Sequence, residues 1–321
     1  MARKTSLNKT EIEHAAELIR TGRLVAFPTE TVYGLGANAL DEAAVRRIYE
    51  AKGRPATSPL IVHTDSIEMA RSLAREWPPE AETLASRYWP GPLTLVVPKH
   101  PCIPDVVTAG LDTVGLRVPA HPVALELIRA AGTPIAAPSA NRFTELSPTT
   151  AEHVRRGLGD AVDLILDGGP TTVGIESTVL SLAGPRPRLL RPGMVSRKDI
   201  EEVIGPIEEG LGMAPRGAHP SPGLHLRHYS PRTRLVIVKD AAAPCRGRGA
   251  YLHRGGECPE GVRDVPMPPG PAAYAAVLYA TLHALDREGL DWIAVEQPPE
   301  GPDWAGVRDR LERAACGHVE G

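Results

Sequence analysis

Hydrophobic residues near the start of the chain follow first a helical spacing and then a strand spacing. Thr10 followed by Glu13 has the form of a capping box. Apolar residues then recur every three to four positions up to Gly22, which predicts a helix with one buried face: Ile12, Ala15, Ala16, Ile19. RLVAFP, ending at Pro28, is typical of a strand, and Asp41 is expected to begin a second helix after a glycine-rich turn.

The same alternation continues along the chain. Further helices are expected near 66–75, 79–87, 122–131, 149–157 and 197–204. The predicted strands are LIVH, LTLVV, TVGLRV, PIAA, DLIL, TVLSL and RLL. Strands that alternate with helices predict an α/β fold, and the short turns between some strands favour a mixed sheet. RLVIV, AYLH, a long apolar helix and WIAVE then predict a second, smaller α/β domain.

A linker rich in glycine and proline separates these two regions. We predict a first domain over 1–208, a linker over 209–231 and a second domain over 232–321. The linker composition also predicts that few core contacts cross between the domains. SPGLHLRHYSP, over 221–231, is unusual for a spacer because histidines, an arginine and a tyrosine stand between its prolines.

Composition narrows the function classes. The 321 residues are long enough for two cores, while a net charge of −3 and an aromatic content of 4% argue against a dedicated nucleic-acid binder. No apolar run is long enough to span a membrane, and the N-terminal stretch lacks the apolar core of a secretion signal. Four cysteines without a Cys-x-x-Cys pair are typical of reduced thiols. A cytoplasmic location is therefore expected.

Candidate chemistry lies at strand ends and turns of the first domain. In KGRPATSPL, Lys52 is suited to the C-terminus of a helix and Gly53 to the left-handed cap that ends it. Neither role accounts for Arg54. A rigid turn that presents Lys52 and Arg54 together is suited to binding a polyanion. Arg117 lies within a predicted strand, where a charge is costly unless an anion meets it.

Hydroxyl groups and a further cation occupy similar positions in APSAN, GIESTV and LLRPGM. Each serine alone is more often a turn former or a helix cap, but together with the cations they indicate a site for a phosphorylated ligand and a carboxylate. The chain has no G-x-x-x-x-G-K-[ST] loop, no suitably placed G-x-G-x-x-G and no G-x-S-x-G elbow. His225 and His228 alone make a weak metal site.

Taken together, these motifs resemble one family. PTETVYGLGAN, KGRP, SPLIVH, WPGPLTLVV, VGLRVPAHP, APSAN, SPTTAEHV, ESTV and RPGM occur in the order seen in YrdC-like proteins. The segment after the linker makes the chain similar to the long, two-domain threonylcarbamoyl-AMP synthases of that family. The resemblance covers 10–231 closely. Across 232–321 it depends mainly on AAYAAVLYATLHALD, WIAVE and RDRLERAA.

The resemblance implies a YrdC-like mixed, twisted sheet with a deep cleft, followed by a small Rossmann-like domain. It implies the condensation of L-threonine, bicarbonate and ATP, carrying magnesium, into threonylcarbamoyl-AMP with release of pyrophosphate. A separate transferase would then modify the adenosine beside the tRNA anticodon, and the synthase itself would need no stable contact with nucleic acid. The linker would close over the cleft as a lid.

The resemblance also assigns site residues. Lys52 and Arg54 would be catalytic. L-Threonine would be bound by Thr31, His63, Arg117, Ala137 and Ser177. ATP would be bound by Lys52, Arg54, Ser58, Thr113, Ser139, Asn141, Ser147, Arg191 and Tyr229.

The chain departs from the family pattern at Ser58, where asparagine is usual, at Arg142–Leu146 and at His225, where lysine is common. EGPDWAGVRDRL also lacks the usual glycine-rich approach to the last helix. Other interpretations are a carbamoyl-adenylate forming module of a carbamoyltransferase pathway, a double-stranded RNA binding module and an inactive scaffold. The RNA interpretation has no support from the charge of the second domain, which contains 11 Lys and Arg residues and 13 Asp and Glu residues.

Overall fold

Two β-sheets organise the protein in the computed structural model, which describes residues 9–210, 229–239 and 246–316. The larger sheet has ten strands: β1 (Val25–Pro28), β2 (Tyr33–Asn38), β3 (Ile61–His63), β4 (Leu93–Pro98), β5 (Thr113–Arg117), β6 (Ile135–Ala136), β7 (Leu164–Ile165), β8 (Thr178–Ser181), β9 (Arg188–Arg191) and β10 (Glu208–Glu209). Their order is β10-β9-β8-β4-β5-β3-β6-β2-β1-β7. Parallel pairs such as β3 with β5 alternate with antiparallel pairs such as β4 with β5, so the predicted mixed sheet is confirmed.

Helices accompany this sheet, all but the short helix Asp105–Thr108 at the places that the apolar spacing predicts. They are α1 (Lys9–Arg20), α2 (Glu42–Lys52), α3 (Ile67–Ser72), α4 (Pro79–Tyr88), α5 (Asp105–Thr108), α6 (Pro122–Ala131), α7 (Ala151–Leu158) and α8 (Arg197–Ile204). Asp41 caps α2, since its side chain accepts from the amides of Ala43 and Ala44. Gly53 ends α2 with a φ of 61°, a conformation that glycine adopts without strain.

The smaller sheet has four strands, all parallel. It consists of β11 (Arg234–Val238), β12 (Gly249–His253), β13 (Arg263–Pro266) and β14 (Trp292–Glu296), in the order β11-β14-β12-β13. The helices α9 (Pro271–Leu285) and α10 (Ala305–Ala315) cover it. The predicted second α/β domain is therefore confirmed. The exact boundaries at 208 and 232 stay a prediction, and β10 continues the large sheet across the first of them.

Two local predictions are wrong. Thr10 lies inside α1, which already includes Lys9, so it cannot be the N-cap of a capping box. The glycine-rich stretch after Pro28 is largely strand β2 rather than a turn. A Cβ on Gly36 would lie 2.7 Å from Phe27 Cε1 and 2.8 Å from Ile135 Cγ2, so glycine here permits close packing instead of breaking the strand.

Residues of the first domain pack into the core of the second, contrary to the prediction from the linker. Val32, Leu146 and Ile175 of the first domain are buried in one cluster with Leu278 and Trp304 of the second. A Cβ on Gly174 would lie 2.2 Å from the carbonyl oxygen of Ala275, which shows how closely the two backbones approach. Composition marks a domain boundary, but it carries no information about which surfaces of the two domains pack together.

Two further expectations concern membrane-spanning helices and the cysteine thiols. No helix among the described residues has both the length and the apolar character required to cross a membrane. Cys102, Cys258 and Cys316 are free thiols in the structure. Cys245 and most of the linker, including His225 and His228, lie outside the described residues.

Candidate active site

A cavity lies at the carboxyl ends of strands β3 and β5, near the middle of the large sheet. The neighbouring parallel strands β3 and β5 place His63 and Arg117 there in register, because the ends of parallel strands meet at the same edge. The loops that follow β6 and precede β8 contribute the adjacent walls. Nine predicted site residues line the cavity: Thr31, Arg54, His63, Arg117, Ala137, Ser139, Ser177, Arg191 and Tyr229.

Arg117 meets a partner inside the protein that the sequence analysis missed. Its Nη2 lies 2.7 Å from Glu30 Oε1, and its Nε donates to the carbonyl of Gly91 at 3.1 Å. Both side chains of the pair are buried, and neither Nη2 nor Oε1 completes a hydrogen bond within the protein. Glu30 therefore compensates the charge of Arg117 while leaving Nη2 with donor capacity for a ligand carboxylate.

His63 is a neutral hydrogen-bonding group in this cavity. Burial, with a further contribution from the charge of Arg117, lowers the pKa of His63 to about 3. Its Nδ1 has no hydrogen-bond partner within the protein. A buried polar atom without a partner at a cavity wall is suited to a ligand. At neutral pH, His63 can orient an amine or hydroxyl but cannot supply charge.

Arg54 presents a buried cation to the same cavity. Its Nη2 donates to Ser58 Oγ at 2.5 Å and to the carbonyl of Pro59 at 3.1 Å, whereas its Nε has no partner. Burial lowers the pKa of Arg54 to about 10, so the guanidinium remains charged at neutral pH. Ser58, one of the departures from the family pattern, therefore holds this arginine in place and does not line the cavity.

Arg191 and Ser177 form the wall beside β8 and β9. Arg191 donates from Nε to the carbonyl of Ser177 at 3.1 Å and from Nη2 to Ser177 Oγ at 3.2 Å. Ser177 Oγ also lies 2.8 Å from Thr94 Oγ1. Burial lowers the pKa of Arg191 from its ordinary value. Together with Arg54 and Arg117, Arg191 gives the cavity wall three arginines against one glutamate, which favours an anionic ligand.

Lys52, a predicted catalytic residue, does not line this cavity. Its Nζ donates to the carbonyls of Ser139 and Asn141, and burial lowers the pKa of Lys52 well below its ordinary value. Lys52 thus fixes the APSAN loop that carries Ser139 to the cavity. Asn141 also has a structural role, because its Nδ2 donates to the carbonyls of Arg142 and Glu145.

The remaining predicted ATP residues lie around the cavity rather than on it. Ser147 Oγ donates to Glu176 Oε1 at 2.5 Å. Thr113 lies in an adjoining, largely apolar depression that shares Ile61 with the cavity. Within the departing segment 142–146, Thr144 has a φ of 71°, and its carbonyl accepts from the amide of Ser230 at 3.0 Å.

Sequence reasoning missed two acidic residues of the site. Glu30 lies inside PTETVYGLGAN and Glu176 inside GIESTV. Each glutamate is buried and paired with an arginine that is distant in sequence. A glutamate among buried apolar residues is a usable signal, but the sequence does not say which cation compensates it.

Comparison with known proteins identifies the family. A family model named Sua5_yciO_yrdC and described as "Telomere recombination" matches residues 17–193. A second, described as "Threonylcarbamoyl-AMP synthase, C-terminal domain", matches residues 195–316. The chain belongs to the Sua5/YciO/YrdC family. The resemblance drawn from the motifs is thereby confirmed, including the long, two-domain type.

Relatives that align over nearly the whole chain support this membership in the Sua5/YciO/YrdC family. A threonylcarbamoyl-AMP synthase of Pyrococcus abyssi is 44% identical, with 96% of this chain and 95% of the relative covered. One of Bacillus subtilis is also 44% identical, with 98% and 95% covered. The crystal structure of Pyrococcus abyssi Sua5 complexed with L-threonine superposes with a TM-score of 0.88 at 42% identity, covering 96% of this chain and 95% of that one.

Proposed function

We propose that this protein synthesises threonylcarbamoyl-AMP and pyrophosphate from L-threonine, bicarbonate and ATP. The single observation that carries the proposal is the cavity itself, in which three buried arginines, a neutral histidine and several hydroxyls face one space. Cations, a neutral histidine and hydroxyls together suit two ligands, the small zwitterion L-threonine with its carboxylate and the polyphosphate of ATP. Membership in a family whose full-length relatives bear the name of this synthase supports the proposal.

L-Threonine would occupy the part of the cavity next to β3 and β5. Arg117 Nη2, which has donor capacity left over from Glu30, would bind its carboxylate. His63, Thr31 and Ser177 offer neutral polar atoms for its amine and hydroxyl, and Ala137 offers its backbone. Because His63 has a pKa of about 3, it orients the amine without competing for the proton at neutral pH.

ATP would extend from the cavity towards the adjoining depression around Thr113. That depression is lined mainly by apolar residues, including Leu60, Ile61 and Val179. Arg54, whose Nε has no hydrogen-bond partner in the protein, would bind the phosphates. Arg191, at the end of β9, would add a second cation.

The reaction needs no nucleophile from the protein. The amine of threonine attacks bicarbonate, and loss of water gives a carbamate. An oxygen of this carbamate then attacks the α-phosphorus of ATP, the bond to the bridging oxygen breaks, and pyrophosphate leaves. Positioning of the two substrates and neutralisation of phosphate charge by Arg54 account for the catalysis. We place the enzyme among the nucleotidyltransferases on this basis.

Magnesium fits this site only as a companion of ATP. Glu176, the carboxylate on the cavity wall, is already engaged by Ser147 and Arg310. Among the described residues, no group of three or more His, Cys, Asp or Glu side chains could hold a metal ion. Magnesium bound to the phosphates would neutralise their charge and keep several waters, as this cation usually does.

The product determines the partners and the compartment. A carboxylic–phosphoric mixed anhydride hydrolyses readily, so it must be consumed where it is made. We therefore propose that a separate threonylcarbamoyl transferase uses it to modify the adenosine beside the anticodon of tRNA, and that both enzymes act in the cytoplasm. The synthase would bind only ATP, L-threonine and bicarbonate, without stable contact with tRNA.

The test is pyrophosphate release from ATP, with threonine or bicarbonate omitted in turn and the adenylate identified by mass spectrometry. Release should require both co-substrates. Serine should react less well, because the missing methyl group is worth roughly 1–3 kcal/mol in an apolar pocket. Equal rates with glycine, serine and threonine would contradict the threonine assignment. Release with carbamoyl phosphate in place of threonine and bicarbonate would instead indicate a carbamoyl-adenylate forming module.

A further inference from the structure

Arg310 reaches from the second domain to the wall of the active-site cavity. It lies on α10, and its side chain is 0% exposed. Its Nε donates to Glu176 Oε2 at 2.6 Å and its Nη2 to the carbonyl of Glu176 at 3.2 Å. Its Nη1 donates to the carbonyl of Pro192 at 3.0 Å and to Asp309 Oδ2 at 2.6 Å. A fully buried guanidinium with this many fixed partners holds a defined geometry.

Glu176, the principal partner of Arg310, faces the cavity. Its Oε1 accepts from Ser147, and its Oε2 accepts from Arg310 and, at 3.2 Å, from Tyr279 of the second domain. Burial alone would raise the pKa of Glu176, but the charges of Arg310 and Arg191 outweigh it and hold the pKa below its usual value. Glu176 is therefore an anion whose position depends on both domains.

Tyr229 is the second group that Arg310 orients. The guanidinium carbon of Arg310 lies 5.3 Å from the centroid of the Tyr229 ring, and Tyr279 approaches the same ring at 6.0 Å. Tyr229 is 1% exposed and lines the cavity. Its φ of 61° is unusual for tyrosine, so the surrounding contacts must maintain this conformation.

Two glycines allow α10 to approach closely enough for these contacts. Gly306 lies one turn before Arg310, on the same face of the helix. A Cβ on Gly306 would lie 3.0 Å from the backbone of Gly193, which belongs to the RPGM turn. A Cβ on Gly193 would in turn lie 2.5 Å from the amide of Thr178. The RPGM turn is thus packed between the active-site strand β8 and α10.

We propose that Arg310 is a positioning residue for the synthesis and that the second domain thereby completes the active site. Through Glu176 and Tyr229, Arg310 sets one wall of the cavity in which ATP is to be held. The inference rests on the proposed function. It differs from a purely structural role, in which the ion pair between Arg310 and Glu176 would only join the two domains.

Steady-state kinetics of full-length variants separate these two roles. Arg310→Lys keeps the charge without the planar fork, and Arg310→Met removes both. Because Arg310→Met leaves the carboxylate of Glu176 buried without its cation, the double variant Arg310→Met/Glu176→Gln removes that charge as well. Arg308→Met is the matched control: Arg308 lies on the same helix but donates to the carbonyls of Pro299 and Gly301 within its own domain.

Positioning predicts a raised KM for ATP together with a lower kcat, and a fall in kcat/KM on the order of 10- to 100-fold, for all three Arg310 variants. Arg310→Lys should be affected least, and Arg308→Met should retain the wild-type KM. A structural role would lower only the fraction of folded enzyme, and hence the apparent kcat, at an unchanged KM. An unchanged KM in both Arg310→Lys and the double variant would overturn the inference. Absence of threonylcarbamoyl-AMP with the wild-type enzyme would overturn the proposed function instead.

Discussion

Replacing Arg117 by methionine should reveal two separate roles of this arginine. In the structure Arg117 compensates the buried charge of Glu30, and in the proposed function it binds the carboxylate of threonine. Arg117→Met should therefore lower both the stability of the protein and its affinity for threonine. Arg117→Met/Glu30→Gln, which removes both charges, should recover stability without recovering affinity.

The magnitudes follow from burial. The side chains of Arg117 and Glu30 are 4% and 8% exposed, and breaking such a pair costs about 3–5 kcal/mol. Loss of a hydrogen bond to the carboxylate is worth about 1.5–3 kcal/mol, or roughly 10- to 100-fold in Kd. Arg46→Met is the control, because its pair with Glu42 is 59% and 56% exposed and should contribute less than about 1 kcal/mol.

Urea unfolding measures the stability of each variant, and isothermal calorimetry measures threonine binding. We expect Arg117→Met to unfold at much lower urea than Arg46→Met, and the double variant to regain most of the difference. Wild-type threonine affinity in the double variant would refute the assignment of Arg117 to the substrate carboxylate and leave it as the partner of Glu30 alone.

Three further predictions test the site and the domain interface. Arg54→Met should lower kcat for pyrophosphate release more than it weakens threonine binding. Lys52→Met should instead lower the melting temperature, because it loosens the APSAN loop. If the two variants changed kcat and the melting temperature equally, this division of roles would be contradicted. The pKa of His63 is depressed to about 3, so the unfolded chain takes up this proton at a higher pH than the folded protein does. The stability that the neutral His63 contributes is therefore fully present above about pH 6.5 and is lost as the pH falls. Between pH 6.5 and pH 5 the free energy of unfolding, measured by urea titration, should drop by about 2 kcal/mol more in wild type than in His63→Asn. Ile175→Ala should destabilise the protein by about 2–5 kcal/mol and leave one cooperative transition by calorimetry, because Ile175 is buried in the core that both domains share; two separate transitions would show independent domains.

Much of the site could be predicted from the sequence because its residues occupy local motifs. His63 and Arg117 both end short apolar strands, and the parallel pairing of β3 with β5 places these ends side by side. Strand β2 could not be predicted, since Gly34 and Gly36 are typical of a turn until the packing of Phe27 against them is known. The contacts of Lys52 Nζ with the carbonyls of Ser139 and Asn141 could not be predicted, since these residues lie almost ninety positions further along the chain. The catalytic role of Lys52 stays a prediction.

Local pattern determined most helices and strands of this protein, and the order of its motifs determined the family. The spacing of apolar residues, the cap of α2 and the cations at strand ends depend on neighbours within a few residues, so the sequence contains them directly. The partners of Glu30 and Glu176 lie 87 and 134 residues away, and neither distance leaves a periodic signal. Tertiary structure alone decided which buried charges compensate each other, because a buried charge selects its partner by position in space. It thus decided that Arg310 of the second domain compensates Glu176 on the wall of the first domain's cavity.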